Sequence, residues 1–304
     1  MQNNVLDYLD DSLKRVPDKI AYADDEVELS FADVKRIMDS VGTGLLNKGC
    51  SREPVIVFMK KSPNTIATFF GVINAGCYYV PIDSEMPATR INLILDNCQP
   101  KVIICDDSTV EIAKGFDYKA DIVLFSEISE TAADEAALAQ VRKKAIDTDP
   151  IYIVFTSGST GVPKGVCACH RSVIDYIEQL SETLGFNEDT IFGNQTPLYF
   201  DACLKELYPT LKFGATTYLI PHSYFMFPIK LVEYINAHNI NTVCWVVSAL
   251  TMISAFATFD TVVPHTLKTI AFGSEVFQIK HFRLWRSAVT ESKFFNLYGP
   301  TEGT

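Results

Sequence analysis

Short apolar runs recur along the chain, at Val55–Phe58, Val102–Cys105, Ile122–Phe125, Ile151–Phe155, Thr217–Ile220, Val243–Val247 and Thr269–Phe272. They are rich in β-branched residues and continuous instead of alternating, which predicts strands buried on both faces. Helical spacing fills the gaps. Ser30-Phe31-Ala32-Asp33 is a capping box with Asp in place of Glu, and Val34, Ile37, Met38, Val41 and Leu45 follow on one face until Lys48-Gly49. Pro63-Asn64 opens a second helix, and Pro228 to His238 a third, with a strand after Asn239-Ile240-Asn241. This rhythm predicts an α/β protein of two packed lobes with mostly parallel sheets. Residues 126–149 are rich in Glu, Ala, Lys and Asp and read as an exposed helix and linker between the lobes.

The composition supports a large buried core. Hydrophobic residues make up 48% of the 304 residues and charged residues 21%, which excludes a disordered tail protein. The net charge of −11 argues against nucleic acid as the main partner. The N-terminal MQNNVLDYLDDSLKR lacks the basic start and apolar stretch of a signal peptide, and no run approaches the ~18 apolar residues of a membrane helix. The eight cysteines are scattered, and several sit in strand-like runs. That pattern predicts reduced thiols and a cytoplasmic protein with no membrane association. Cys167-Ala-Cys169-His170 is the one metal-like spacing; lacking a second cluster, it reads as strand-end packing.

The densest chemistry lies in Ile151–Val166, IYIVFTSGSTGVPKGV. A buried strand runs into Thr156-Ser157-Gly158-Ser159-Thr160-Gly161, then Pro163-Lys164-Gly165. Glycines let backbone approach a ligand, and the hydroxyls and successive N–H groups make an anion nest. Lys164 adds a mobile positive charge. The loop is not the Walker type, because Lys164 is followed by Gly165 and Val166 instead of Ser or Thr.

FTSGSTGVPKGV resembles the phosphate-loop signature of the adenylate-forming enzymes, among them nonribosomal peptide synthetase adenylation domains, D-alanine–carrier-protein ligases, acyl-CoA synthetases and luciferases. Ala75-Gly76-Cys77-Tyr78-Tyr79-Val80-Pro81-Ile82-Asp83 resembles that family's AGxxYVPID segment. Tyr199-Phe200-Asp201-Ala202 resembles the aromatic-Phe-Asp segment of its amino-acid-activating branch, and Asn296-Leu297-Tyr298-Gly299-Pro300-Thr301-Glu302 its NxYGPTE segment. The four segments fall in the family's order and span nearly the whole chain.

The resemblance implies a two-step reaction. A carboxylate attacks the α-phosphate of ATP, and the acyl group then passes to the phosphopantetheine thiol of a carrier protein. It implies that Thr156–Gly161 and Lys164 hold the β and γ phosphates. Tyr298 would stack on adenine, Asn296 bond its amine, and Gly273-Ser274-Glu275, Leu297 and Gly299 complete the slot. Thr301 would contact the α-phosphate, and Glu302 help hold Mg²⁺. Asp201 would pair with the substrate's ammonium, although an Asp there also suits a helix N-cap. Ala202, Lys205, Trp245, Ala271, Gly273 and Leu297 would line the side-chain pocket. Lys205 either meets an acidic substrate side chain or snorkels to solvent.

The chain ends at Glu302-Gly303-Thr304, where family members run on for roughly 100–200 residues. The expectation is therefore the N-terminal core of an adenylation domain lacking the end of the core and the C-terminal lid, with its ribose-binding Asp and its lysine. Such a piece would adenylate poorly or not at all. An acyl- or aryl-CoA synthetase, or a nucleotide-binding fragment without catalysis, remain the alternatives.

Overall fold

The computed structural model describes residues 2–156 and 163–303. In chain order its strands are β1 (Ile20–Ala23), β2 (Glu28–Ser30), β3 (Pro54–Phe58), β4 (Tyr78–Pro81), β5 (Val102–Cys105), β6 (Asp121–Leu124), β7 (Pro150–Thr156) and β8 (Lys164–Cys169). They continue with β9 (Ile191–Asn194), β10 (Thr216–Leu219), β11 (Thr242–Val246), β12 (Thr269–Gly273) and β13 (Lys293–Leu297).

Two sheets result. One has the order β6-β5-β3-β4-β7-β8, parallel except for the β7–β8 hairpin. The other has the order β13-β12-β11-β9-β10-β1-β2, parallel except for β1–β2. Central strands such as β3 and β5 are buried at every position, which is why their sequences do not alternate. Helices cover both faces of each sheet. Between the sheets, the helices Phe31–Asn47, Pro63–Asn74 and Leu204–Phe213 share one core with inward residues such as Val57, Tyr79, Tyr152 and Leu219.

The local signals act as the sequence predicts. Ser30 Oγ accepts from the Asp33 N–H at 3.1 Å, and Asp33 accepts from the Ser30 N–H at 3.2 Å. Val34, Ile37, Met38, Val41 and Leu45 are then buried on one face. Ser62 caps the next helix, with Pro63 in its first turn.

The linker expectation for 126–149 needs correction. This segment joins β6 to β7, two strands of the same sheet. Its helix Glu135–Lys144 buries only Leu138 and packs against Phe31–Asn47 and Pro63–Asn74. A surface crossover and an inter-lobe linker are both solvated, so composition does not tell them apart. The chain changes sheets later, through the helix His170–Leu184 between β8 and β9. The first two strands also belong to the seven-stranded sheet, so the lobes are interleaved along the sequence.

Candidate active site

Strands β9, β11, β12 and β13 run parallel, so their carboxyl ends share one edge, where ligands bind in open α/β sheets. That edge carries three of the sequence motifs. β9 leads to Asp201, β12 ends at Gly273-Ser274-Glu275, and β13 leads to Tyr298–Glu302. The apolar strands end there because the chain turns polar and glycine-rich.

Gly273 pairs with Leu297, and a Cβ at Gly273 would meet the Leu297 carbonyl oxygen at 2.5 Å. Only glycine lets the two strand ends lie this close. Ser274 follows in the left-handed region at φ 74°, turning the chain away from the edge. Asn296 is exposed on β13, and Tyr298 is 100% exposed beyond it, an aromatic face free to stack. Glu275 and Gly299 are also exposed. Thr301 and Glu302 lie in the 3₁₀ turn Thr301–Gly303, with the Glu302 carboxylate in solvent.

Asp201 opens the 3₁₀ turn Asp201–Cys203 that leads into Leu204–Phe213. The N-cap position belongs to Phe200, and no side chain caps either element. The half-buried Asp201 carboxylate has no hydrogen-bond or ion-pair partner among the described residues. Lys205, one turn on and half-buried, is likewise unpaired among them. Tyr176 of His170–Leu184 faces Asp201 and Cys244; burial, then these two neighbours, raises its phenol. Ala202 is half-buried at the same turn.

The pocket expectation divides between two faces of the sheet. Ala271 and Cys244 face the helix His170–Leu184, with Leu297 and Tyr176 packed beside them. Trp245 points to the opposite face, into the core with Leu231, Leu250, Phe272 and Trp285. Its indole N–H donates to the Gly193 carbonyl at 2.7 Å, and the ring meets Phe225 edge-on. Trp245 therefore does not share a pocket with Ala271 and Leu297; strand parity places it in the outer core.

The phosphate-loop expectation falls partly on Ser157, Gly158, Ser159, Thr160 and Gly161, which lie outside the described residues. Its two ends are described. Thr156 on β7 pairs with Lys164 on β8, Thr156 Oγ1 donates to the Lys164 carbonyl at 3.5 Å, and the Lys164 side chain is exposed. Among the described residues no group of three His, Cys, Asp or Glu side chains could hold a metal ion. The exposed Glu302 carboxylate is an oxygen donor of the type that magnesium takes together with phosphate oxygens and water. All eight cysteines are free thiols. No helix among the described residues is long and apolar enough to cross a membrane.

His170 is structural. It is buried at the start of its helix, and its Nδ1 accepts from the Val5 N–H at 3.2 Å. Burial pushes its pKa down to about 4. The unfolded chain binds the proton near pH 6.5, so stability present above that pH drains away as pH falls toward 4. The loss is of order 3 kcal/mol. His170→Asn, which keeps an acceptor for Val5, is expected to flatten that slope in urea unfolding at pH 7, 5.5 and 4. An unchanged slope would reject the assignment.

Two further contacts escaped the sequence reading. Tyr199 faces Asp83, at the end of the AGCYYVPID segment; burial, then the carboxylate, pushes its phenol up to about 12. Glu206 and Lys61 form a buried link between the sheets, described below. Both contacts join residues far apart in sequence, and no local pattern announces them.

The profile of the family described as AMP-binding enzyme matches residues 9–304. The chain belongs to that family. It is 30% identical over 305 residues to the L-proline–[L-prolyl-carrier protein] ligase of Pseudomonas fluorescens, covering 96% of this chain and 60% of that protein. It is 30% identical over 288 residues to the D-alanine–D-alanyl carrier protein ligase of Staphylococcus aureus, covering 95% of this chain and 57% of that one. The chain thus spans about three-fifths of the length of these two carrier-protein ligases. In fold it is similar to the nonribosomal peptide synthetase FmoA3, with a TM-score of 0.87 at 20% identity over 99% of this chain and 32% of that one. FmoA3 has also been solved in an AMPPNP-bound form.

Proposed function

We propose that these residues form the ATP- and amino-acid-binding part of an AMP-forming ligase that loads a phosphopantetheinyl carrier protein. The observation that carries this reading is the unpaired Asp201 carboxylate, which faces Tyr176 on the side of the sheet where Ala271 and Leu297 also pack. A half-buried carboxylate with no partner among the described residues is free to receive a cation, and a substrate ammonium supplies one. Fatty and aryl acids carry no such group, so Asp201 weighs against a CoA synthetase for those acids.

In this reading Asn296 and Tyr298 take the adenine, with Gly273 allowing the ring to approach. Thr156 and Lys164 hold the β and γ phosphates from the hairpin, together with Ser157–Gly161. Thr301 lies against the α-phosphate. With its ammonium on Asp201, the amino acid presents a carboxylate oxygen to the α-phosphorus. A P–O bond forms there, the bond to the bridging oxygen breaks, and pyrophosphate leaves with the electron pair. Mg²⁺ held by Glu302 would neutralise the separating phosphates. The residues mainly position and neutralise, since the displacement needs little proton transfer from the protein.

ATP–pyrophosphate exchange on the complete polypeptide, with a panel of amino acids and fatty acids, tests this. Exchange is expected with an amino acid and with no fatty acid. A fatty acid as the sole active substrate would overturn the proposal. The panel includes aspartate and glutamate, and a preference for either assigns Lys205 to the substrate side chain.

A further inference from the structure

Lys61 lies between β3 and the helix Pro63–Asn74, yet it reaches the other sheet. Its ammonium donates to the carbonyls of Asn194 at 3.1 Å and Gln195 at 3.2 Å, where β9 ends. The Asn194 side-chain amide donates in turn to Glu206, a carboxylate with 0% exposure. The Cys244 N–H on β11 donates to the other Glu206 oxygen at 3.4 Å. Glu206 sits on Leu204–Phe213, directly after the turn that bears Asp201. Residue 194, at the start of segment 194–201, is thus held by Lys61 through its carbonyl and by Glu206 through its side chain, and Tyr199 within the segment faces Asp83.

Hydrogen bonding alone does not call for charge here. A glutamine at 206 would accept from Cys244, and Asn194, whose Oδ1 has no partner among the described residues, could turn over to bond it. A buried carboxylate costs several kcal/mol unless a cation offsets it. Burial raises the Glu206 pKa and lowers that of Lys61, and each charge opposes the other's shift. The two side chains meet at Asn194, Lys61 on its carbonyl and Glu206 on its side-chain amide, and so tie the loop after β3 to the end of β9.

We propose that Lys61 and Glu206 are positioning residues of the amino-acid site, fixing segment 194–201 across the gap between the sheets and so aiming the Asp201 carboxylate at the substrate ammonium. This rests on the reading of Asp201 given above.

Amide hydrogen exchange on the 304-residue chain tests it with Lys61→Met, Glu206→Gln and the double variant. If a single variant fails to fold because its partner's charge is left buried, the double variant, which buries neither, carries the test. In it, exchange across 195–203 is expected to quicken by about tenfold or more, while β3, β5 and β7 change by less than about threefold. In the complete polypeptide carrying the same substitutions, the KM for the most active amino acid of the panel should rise by about tenfold with kcat nearly unchanged. Exchange across 195–203 that moves no more than the rest of the chain, or an unchanged KM, overturns the proposal. Asp201→Ala separates the two ideas. It should raise KM without altering exchange; if KM stays put, the ammonium reading fails, and with it the purpose assigned to Lys61 and Glu206.

Discussion

Asp201→Ala is expected to raise the amino-acid KM by roughly 30- to 150-fold, the equivalent of about 2–3 kcal/mol for removing one partner of a partly desolvated ion pair. The KM for ATP should hardly move, because adenine and phosphates are assigned to other strand ends. The melting temperature should hold within about 2 °C, since the carboxylate bonds to nothing else among the described residues and caps no helix. These outcomes distinguish two roles that an Asp at a helix start can serve. A substrate contact shows in KM alone. A cap shows as about 1 kcal/mol of lost stability with unaltered KM, and that result would remove the main support for amino-acid activation.

Trp245→Ala should do the opposite. The indole is 2% exposed and packed among Leu231, Leu250 and Phe225 on the outer face of the seven-stranded sheet. Truncation removes that packing, opens a cavity, and leaves the Gly193 carbonyl without its donor. The expected loss is about 3–5 kcal/mol, which lowers the thermal midpoint by roughly 10 °C. Substrate preference across the amino-acid panel should not change among variants that remain folded. A shift in preference without a loss of stability would mean that Trp245 lines the pocket and that its face of the sheet is wrongly assigned.

Asp201 and Trp245 are both given to the substrate site by the family resemblance. For Asp201 the structure leaves a half-buried carboxylate unpaired among the described residues. For Trp245 the resemblance fixes the strand but not the side chain's face. Which face it takes depends on the pleat of β11, and a difference of one position reverses the answer. An edge strand shows the same limit from another side. β8 reads Lys164-Gly-Val-Cys-Ala-Cys169, with several positions open to solvent, and as an antiparallel edge strand it lacks the continuous apolar signature of β3 or β5.

The chain's own order of residues determined whatever is local: the capping box at Ser30, the buried runs that become central strands and the glycine at 273. These depend on interactions spanning a few residues, or on backbone freedom at a single one. The tertiary structure alone decided that 126–149 returns to its own sheet, that Trp245 turns outward, and that Lys61 reaches Asn194 across 133 positions. Such pairings are settled by how sheets stack and strands register, and the free energy of that choice is spread over the whole core instead of being written in any one segment.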